Sequence, residues 1–136
     1  MLQQPADVVA AELACVLALD GEQLEARRLA DESRSLTAPG DVLAELLWHR
    51  AQALVAARDG RHDDARRLSD EACTRAAATD WLTFQGETLE EAACVRRLSG
   101  DAEGESRALG EALTVYRQKG NVAGAGRTAQ ALAAQP

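Results

Sequence analysis

Few residues in this chain are of a type that does chemistry, and their spacing decides what each can do. His62, Asp63 and Asp64 are metal-ligating types, but they are consecutive. Neighbours in a helix point in different directions, whereas a helical metal site sets its ligands four apart. The two acids are better placed to favour the positive end of a helix that starts there. Cys15, Cys73 and Cys94 make an odd count. A thiol nucleophile needs a neighbouring base and an electropositive setting, and neither stands near any of the three. They read as small buried hydrophobes in a reducing cytoplasm. The stretch Gly120-Asn121-Val122-Ala123-Gly124-Ala125-Gly126 has the glycines of a nucleotide loop, but it lacks Lys-Ser/Thr and a preceding strand. His49 falls at a packing position, and Trp48 and Trp81 read as core or interface anchors. No catalytic, cofactor-binding or metal-binding constellation is expected, so the chain does not read as an enzyme.

Charge does recur in a pattern. Arg27-Arg28 precede Asp31-Glu32, Arg66-Arg67 precede Asp70-Glu71, and Arg107 precedes Glu111. Arginine and acid four apart are neighbours on a helix surface and contribute about 0.2–0.5 kcal/mol per pair, with arginine-first the weaker order. The expected reading is a solvated outer face; the alternative is a ladder of arginines for an acidic partner.

The elements that hold these residues follow from a spaced repeat. Gly21, Gly60 and Gly100 stand 39 and 40 residues apart. Seven residues before each stand Ala14, Ala53 and Ala93, and five before stand Val16, Val55 and Val95. Five after come Ala26, Ala65 and, out of pattern, Glu105. Seven after come Arg28, Arg67 and Arg107, and twelve after come Ser33, Ala72 and Ala112. A period in this range means stacked copies of one supersecondary unit. Turn signals at Asp20-Gly21, Pro39-Gly40-Asp41, Asp59-Gly60, Thr79-Asp80, Ser99-Gly100-Asp101 and Gly120-Asn121 bound proline-free segments. The spacing predicts helices over 6–19, 22–36, 42–58, 62–78, 81–98, 102–118 and 122–134. Asp41, Asp80, Asp101 and Asn121 are the candidate N-caps. Val122, Ala125, Ala129 and Leu132 share one face of the last helix and are expected to cover the array. Gly86, Gly104, Gly110, Gly124 and Gly126 fall inside helices at about 1 kcal/mol each relative to Ala, which predicts a softer C-terminal half unless they permit close packing.

Composition excludes some functions. Hydrophobic residues make up 46% of the chain but aromatics only 3%, so the core must be Ala, Leu and Val. Net charge is -7, with 22 acidic against 15 basic residues. That opposes nucleic-acid binding, which needs a basic footprint, and attraction to anionic membranes. No apolar run reaches the ~20 residues that span a bilayer, and no secretory leader pattern is expected.

Ala53, Gly60, Ala65 and Ala72 resemble the tetratricopeptide repeat (TPR) family, as do Ala14, Gly21, Ala26 and Ser33, and Ala93, Gly100 and Ala112. The resemblance covers about residues 7–120. The period exceeds the family's ~34 residues, and the family's large helix A aromatic is replaced by Ala10, His49 and Leu89. The closing stretch Tyr116–Val122 is similar to the end of helical tails on large actinobacterial signalling proteins, cyclase-related and ATPase-type transcriptional regulators. The resemblance implies an all-α, right-handed TPR-like superhelix of three antiparallel hairpins plus a C-terminal capping helix. It would be a single domain over 1–136, with repeats at about 6–40, 41–80 and 81–120 and the cap at 121–136.

The implied function is a cytoplasmic protein-interaction module that binds a peptide or partner helix in a concave groove. The alternative is a regulatory or autoinhibitory segment of a larger signalling protein. The resemblance assigns groove positions to Arg50, Leu54, Ala57 and Arg58 in the second repeat, and to Glu87, Glu90, Cys94, Arg97 and Leu98 in the third. In the first they are Val8, Ala11, Cys15, Ala18 and Leu19. Arg50 and Arg58 lie two turns apart with Leu54 between, so they would hold charge on either side of an apolar contact. The first helix is a separate case. From Val8 to Leu19 only Glu12 is charged, and a helix apolar all round is normally buried all round. Val9, Leu13 and Val16 are therefore candidates for self-association as a homodimer, or for contact with a region preceding the first helix.

Overall fold

The computed structural model of the protein describes residues 6–136. Among these there are seven helices and no strand: α1 (Ala6–Leu19), α2 (Gln23–Leu36), α3 (Val42–Arg58), α4 (His62–Ala77), α5 (Leu82–Leu98), α6 (Ala102–Lys119) and α7 (Val122–Ala133). The fold is all-α, and each end lies within one residue of its expected place. The turn at Gly60 shows why the glycines recur. With φ of 78° at Gly60, its N–H reaches the Ala57 carbonyl at 3.2 Å and Arg61 N–H returns to Ala56 at 2.9 Å. This closes α3 in a left-handed cap that glycine adopts without strain.

Asp41, Asp101 and Asn121 cap α3, α6 and α7, accepting from Ala44, Gly104 and Gly124 N–H at 3.1, 2.8 and 2.9 Å. Asp80 does not cap α5. That helix starts one residue later than expected, its N-cap position is Trp81, and Thr79 ties the turn instead. Trp81 N–H donates to Thr79 Oγ1 at 3.2 Å and the Gln85 amide to the Thr79 carbonyl at 2.7 Å.

The chain forms two compact units, Met1–Ala72 and Cys73–Pro136, divided within α4. In the first, α1 packs on α2 and α3, and α2 packs on α3. In the second, α6 packs on α5 and α7. The repeated small residues are core: Ala14, Ala53, Ala93, Ala26, Ala65, Ser33, Ala72 and Ala112 are each at most 2% exposed. Glu105, the residue out of pattern, is half-buried.

In the first unit α2 is tied to α3 through Asp59. Gln23 Nε2 donates to Asp59 Oδ1 at 2.8 Å and to the Val55 carbonyl at 2.9 Å. Arg27 Nη2 reaches both Asp59 oxygens at 2.6 Å. One turn back, Gln52 Nε2 donates to Asp31 at 3.0 Å. Burial pushes the Asp59 carboxyl up, but the hydrogen bonds from Gln23, Arg27 and Arg61 outweigh it and hold the group below the usual carboxylate range.

On the outer faces Arg28, Arg67 and Arg107 are all exposed, as expected. Beside the arginine-first pair of Arg28 with Glu32, each of the three takes an acid that precedes it. Arg28 takes Glu25 as well as Glu32, Arg67 takes Asp64 at 3.2 Å, and Arg107 takes Glu103 at 3.7 Å. The acid-first order, which the helix dipole favours, holds for the pairs with Glu25, Asp64 and Glu103.

The second unit is built around Tyr116, which is fully buried. Gly86 of α5 and Gly124 of α7 lie against its ring; a Cβ added there would sit 2.5 and 2.7 Å from ring carbons. The phenol donates to Glu90 Oε1 at 2.5 Å, and Arg127 holds Glu90 through Nε at 2.9 Å and Nη2 at 2.6 Å. Burial, reinforced by Glu90, raises the Tyr116 phenol far above its ordinary value. The hydrogen bond to Glu90 raises Arg127 likewise.

This packing overturns the expected face of α7. Val122 is 84% exposed and Ala129 is exposed, whereas Gly124 and Thr128 are buried. The Tyr116 ring needs the flat surface that Gly124 offers, and Thr128 satisfies its hydroxyl locally by donating to the Gly124 carbonyl at 2.7 Å. The glycines also divide: Gly86, Gly104 and Gly124 are closely approached, and Gly110 and Gly126 are open.

Two stability predictions follow from these contacts. Gly86→Ala and Gly124→Ala should each destabilise by about 1–3 kcal/mol through overpacking, while Gly126→Ala should stabilise by up to about 1 kcal/mol. Urea unfolding checks the signs, and equal responses at 124 and 126 would rule out the ring as the cause. For Asp59, a folded pKa below the unfolded one adds stability above the unfolded pKa that is lost as pH falls through the folded value. Asp59→Asn should therefore cost about 1–2 kcal/mol at neutral pH. The gap should shrink below about pH 4. A pH-independent gap would contradict the role given to the carboxylate.

Candidate functional site

The residues assigned to a concave groove do not form one continuous surface within either unit. Leu54 is 1% exposed and Arg50 8%, because α3 is enclosed by α1 and α2 along this length. Leu54 is thus a core residue, not an apolar contact on a groove wall. Val8, Ala11, Cys15 and Ala18 are buried as well. Arg58 is exposed, but its guanidinium caps α1 by donating to the Leu19 carbonyl at 2.9 Å. Glu90 is committed to Tyr116 and Arg127. Glu87 is half-buried, and Arg97 is exposed with Nη2 3.4 Å from Cys94 Sγ.

The first unit instead opens a cleft of about 510 Å³ between α2 and α4, floored by α3. Trp48 and His49 lie on the floor with ring centroids 3.7 Å apart and planes at 24°. The Arg34 guanidinium stands 4.8 Å over the Trp48 ring. Both floor rings are fixed by Glu45: Trp48 Nε1 donates to its carboxylate at 3.0 Å, and His49 Nδ1 lies 2.6 Å from its carbonyl oxygen. That oxygen only accepts, so Nδ1 carries the proton. Arg61, Asp64, Arg67, Leu68 and Glu71 of the α4 side complete the lining. Asp64 is shared by Arg61 at 3.7 Å and Arg67 at 3.2 Å.

The second unit has a matching cleft of about 520 Å³, lined by Cys73 and Ala77 of α4, Gln85 and Leu89 of α5, and Glu111 and Val115 of α6. The two clefts are equivalent in the repeat. Arg34 and Cys73 follow their glycines by thirteen, His49 and Leu89 precede theirs by eleven, and Glu71 and Glu111 follow by eleven. One backbone position thus yields a charged, aromatic cleft in one unit and an apolar cleft in the other. The sequence showed Glu71 and Glu111 as recurring acids four residues after Arg67 and Arg107. It gave no sign that they rim a cleft, because the floor residues differ between repeats.

The third feature is the outer side of α1. Val9, Leu13 and Val16 are 45%, 45% and 54% exposed and form one stripe, with exposed Glu12 and Asp20 beside it. The expectation that this helix cannot bury its whole apolar surface is thereby located on particular residues. Among the described residues no three His, Cys, Asp or Glu gather as metal ligands, no disulfide joins Cys15, Cys73 and Cys94, and no helix is long and apolar enough to cross a membrane. Comparison with protein-family models, with curated proteins and with solved structures finds no match to this chain.

Proposed function

We propose that the chain is a protein-interaction module of TPR-like stacking, and that the α2–α3–α4 cleft takes a segment of a partner protein. The observation that carries this reading is the Trp48 ring, half-buried and held flat by His49 and Glu45 under the Arg34 guanidinium. An aromatic surface with fixed orientation loses little entropy on binding and is the residue type that anchors interfaces. Arginines and acids alternate on the rim, so the partner segment carries both an apolar anchor for Trp48 and Leu68 and charged groups flanking it. Arg67, 71% exposed in its side chain, is the rim charge open to such a group. The exposed Arg58 and Arg97 remain available to a longer partner. No catalytic step or cofactor is part of this function.

A displayed-peptide selection against the intact protein tests this. Selected peptides should shift Trp48 fluorescence in a Trp81→Phe background. Trp48→Ala and Arg67→Glu should each weaken them by about tenfold, with Arg67→Glu leaving the melting temperature unchanged. Peptides that bind with undiminished affinity to both variants would move the site away from this cleft, and a selection that yields no ligand would argue against a binding module.

A further inference from the structure

The internal repeat says what belongs on the uncovered face of α1. Counted from their glycines, Val9, Leu13, Val16 and Asp20 of the first repeat correspond to Trp48, Gln52, Val55 and Asp59 of the second. In the second repeat that face is covered by α2. Val55 is fully buried there, its carbonyl accepts from Gln23 at 2.9 Å, and Asp59 accepts from Gln23 and Arg27. Gln52 donates to Asp31 at 3.0 Å, and Arg34 lies over Trp48 at 4.8 Å. In the first repeat the same valine is 54% exposed, and among the described residues no donor reaches the Asp20 carboxylate.

We infer that the outer face of α1 is a docking surface for an amphipathic helix of a partner protein. The repeat also specifies the side chains of that helix. Val16 and Asp20 retain the end of the surface that Gln23 and Arg27 recognise, so the partner helix carries glutamine and, four residues on, arginine. The other end has changed character. Leu13 replaces the amide that holds Asp31, and Val9 replaces the ring beneath Arg34. The partner helix therefore carries apolar residues eight and eleven positions after its glutamine, where α2 has Asp31 and Arg34. A second copy of this chain fits less well: the exposed side of α1 carries Glu12 and, just past its end, Asp20, and no basic residue, so α1 against α1 sets acid beside acid. This surface is separate from the Trp48 cleft, and either site stands or falls without the other.

The test uses the intact protein and a synthetic peptide of residues 22–36 in which Asp31→Leu and Arg34→Leu adapt it to α1. The adapted peptide should bind at least about fivefold more tightly than the unmodified one, and Val16→Lys in the protein should weaken it by about tenfold or more. Val16 lies on the surface, so that variant folds; its melting temperature is the control. Asp20→Asn in the protein and Arg27→Gln in the peptide should each weaken binding, and together no more than either alone, as expected when both remove one contact. No binding at about 1 mM peptide, equal binding to Val16→Lys, or additive losses at Asp20 and Arg27 would overturn the inference. Light scattering that shows a dimer lost in Val16→Lys would give the face to a second copy instead.

Discussion

The close approach of helices over side chains no larger than a methyl or hydroxymethyl group is the constraint on which the rest of this structure depends. With so few aromatics, bulk cannot fill wide gaps between helices, so the gaps have to be narrow. The small residues flanking each turn make them narrow, and none of the eight is more than 2% exposed. Replacing any of these with a longer side chain would push two axes apart and cost overpacking energy along the whole contact, not at one atom. Where a large residue does enter the core, the opposing helices give up even the methyl. Tyr116 lies against Gly86 and Gly124, and the two glycines that weaken their own helices are the ones that admit the ring.

Close-packed small residues fix distance but specify register weakly, because one alanine resembles another. Polar groups supply the register. Asp59 gathers Gln23, Arg27 and Arg61, and Glu90 gathers Tyr116 and Arg127. Asp59 sits at the C-cap of α3 and Glu90 on α5, and each takes donors from other elements of the same unit. Such partly exposed pairs add about 1–2 kcal/mol at most. A slip of one turn, however, would leave a half-buried carboxylate without its donors, and that costs more than the pair itself contributes.

Much of this was legible in the sequence. The turn signals located every helix within a residue, because left-handed caps and most N-cap side chains are local and leave local marks. The buried columns were legible for the same reason: a position that must stay small in each repeat shows in each repeat. The face of α7 was not. Periodicity weighs Val122 and Ala129 as apolar and Gly124 and Thr128 as indifferent, and nothing local announces that a tyrosine on α6 needs glycine opposite it. Leu54 failed as a groove residue for a related reason, since α3 is enclosed by neighbours that its own pattern does not name. The Trp48 cleft leaves no repeated mark in the sequence, because its floor residues differ between repeats.

The repeated and the varied positions therefore carry different information. Arg34 against Cys73, and His49 against Leu89, occupy equivalent backbone sites and give two clefts of nearly equal volume and opposite chemistry. The backbone sets where a cleft opens, and the variable side chains set what it can hold. The valine column shows that the converse also holds. Val55 and Val95 are buried, and Val16, in the same column, is 54% exposed. A branched apolar side chain more than half exposed adds little to the packing of α1 on α2 or α3, and polar residues would serve α1 better if water were its permanent neighbour. Its presence beside Asp20, in the pairing that Val55 and Asp59 use to hold α2, is the composition of a helix–helix interface and not of a solvated surface.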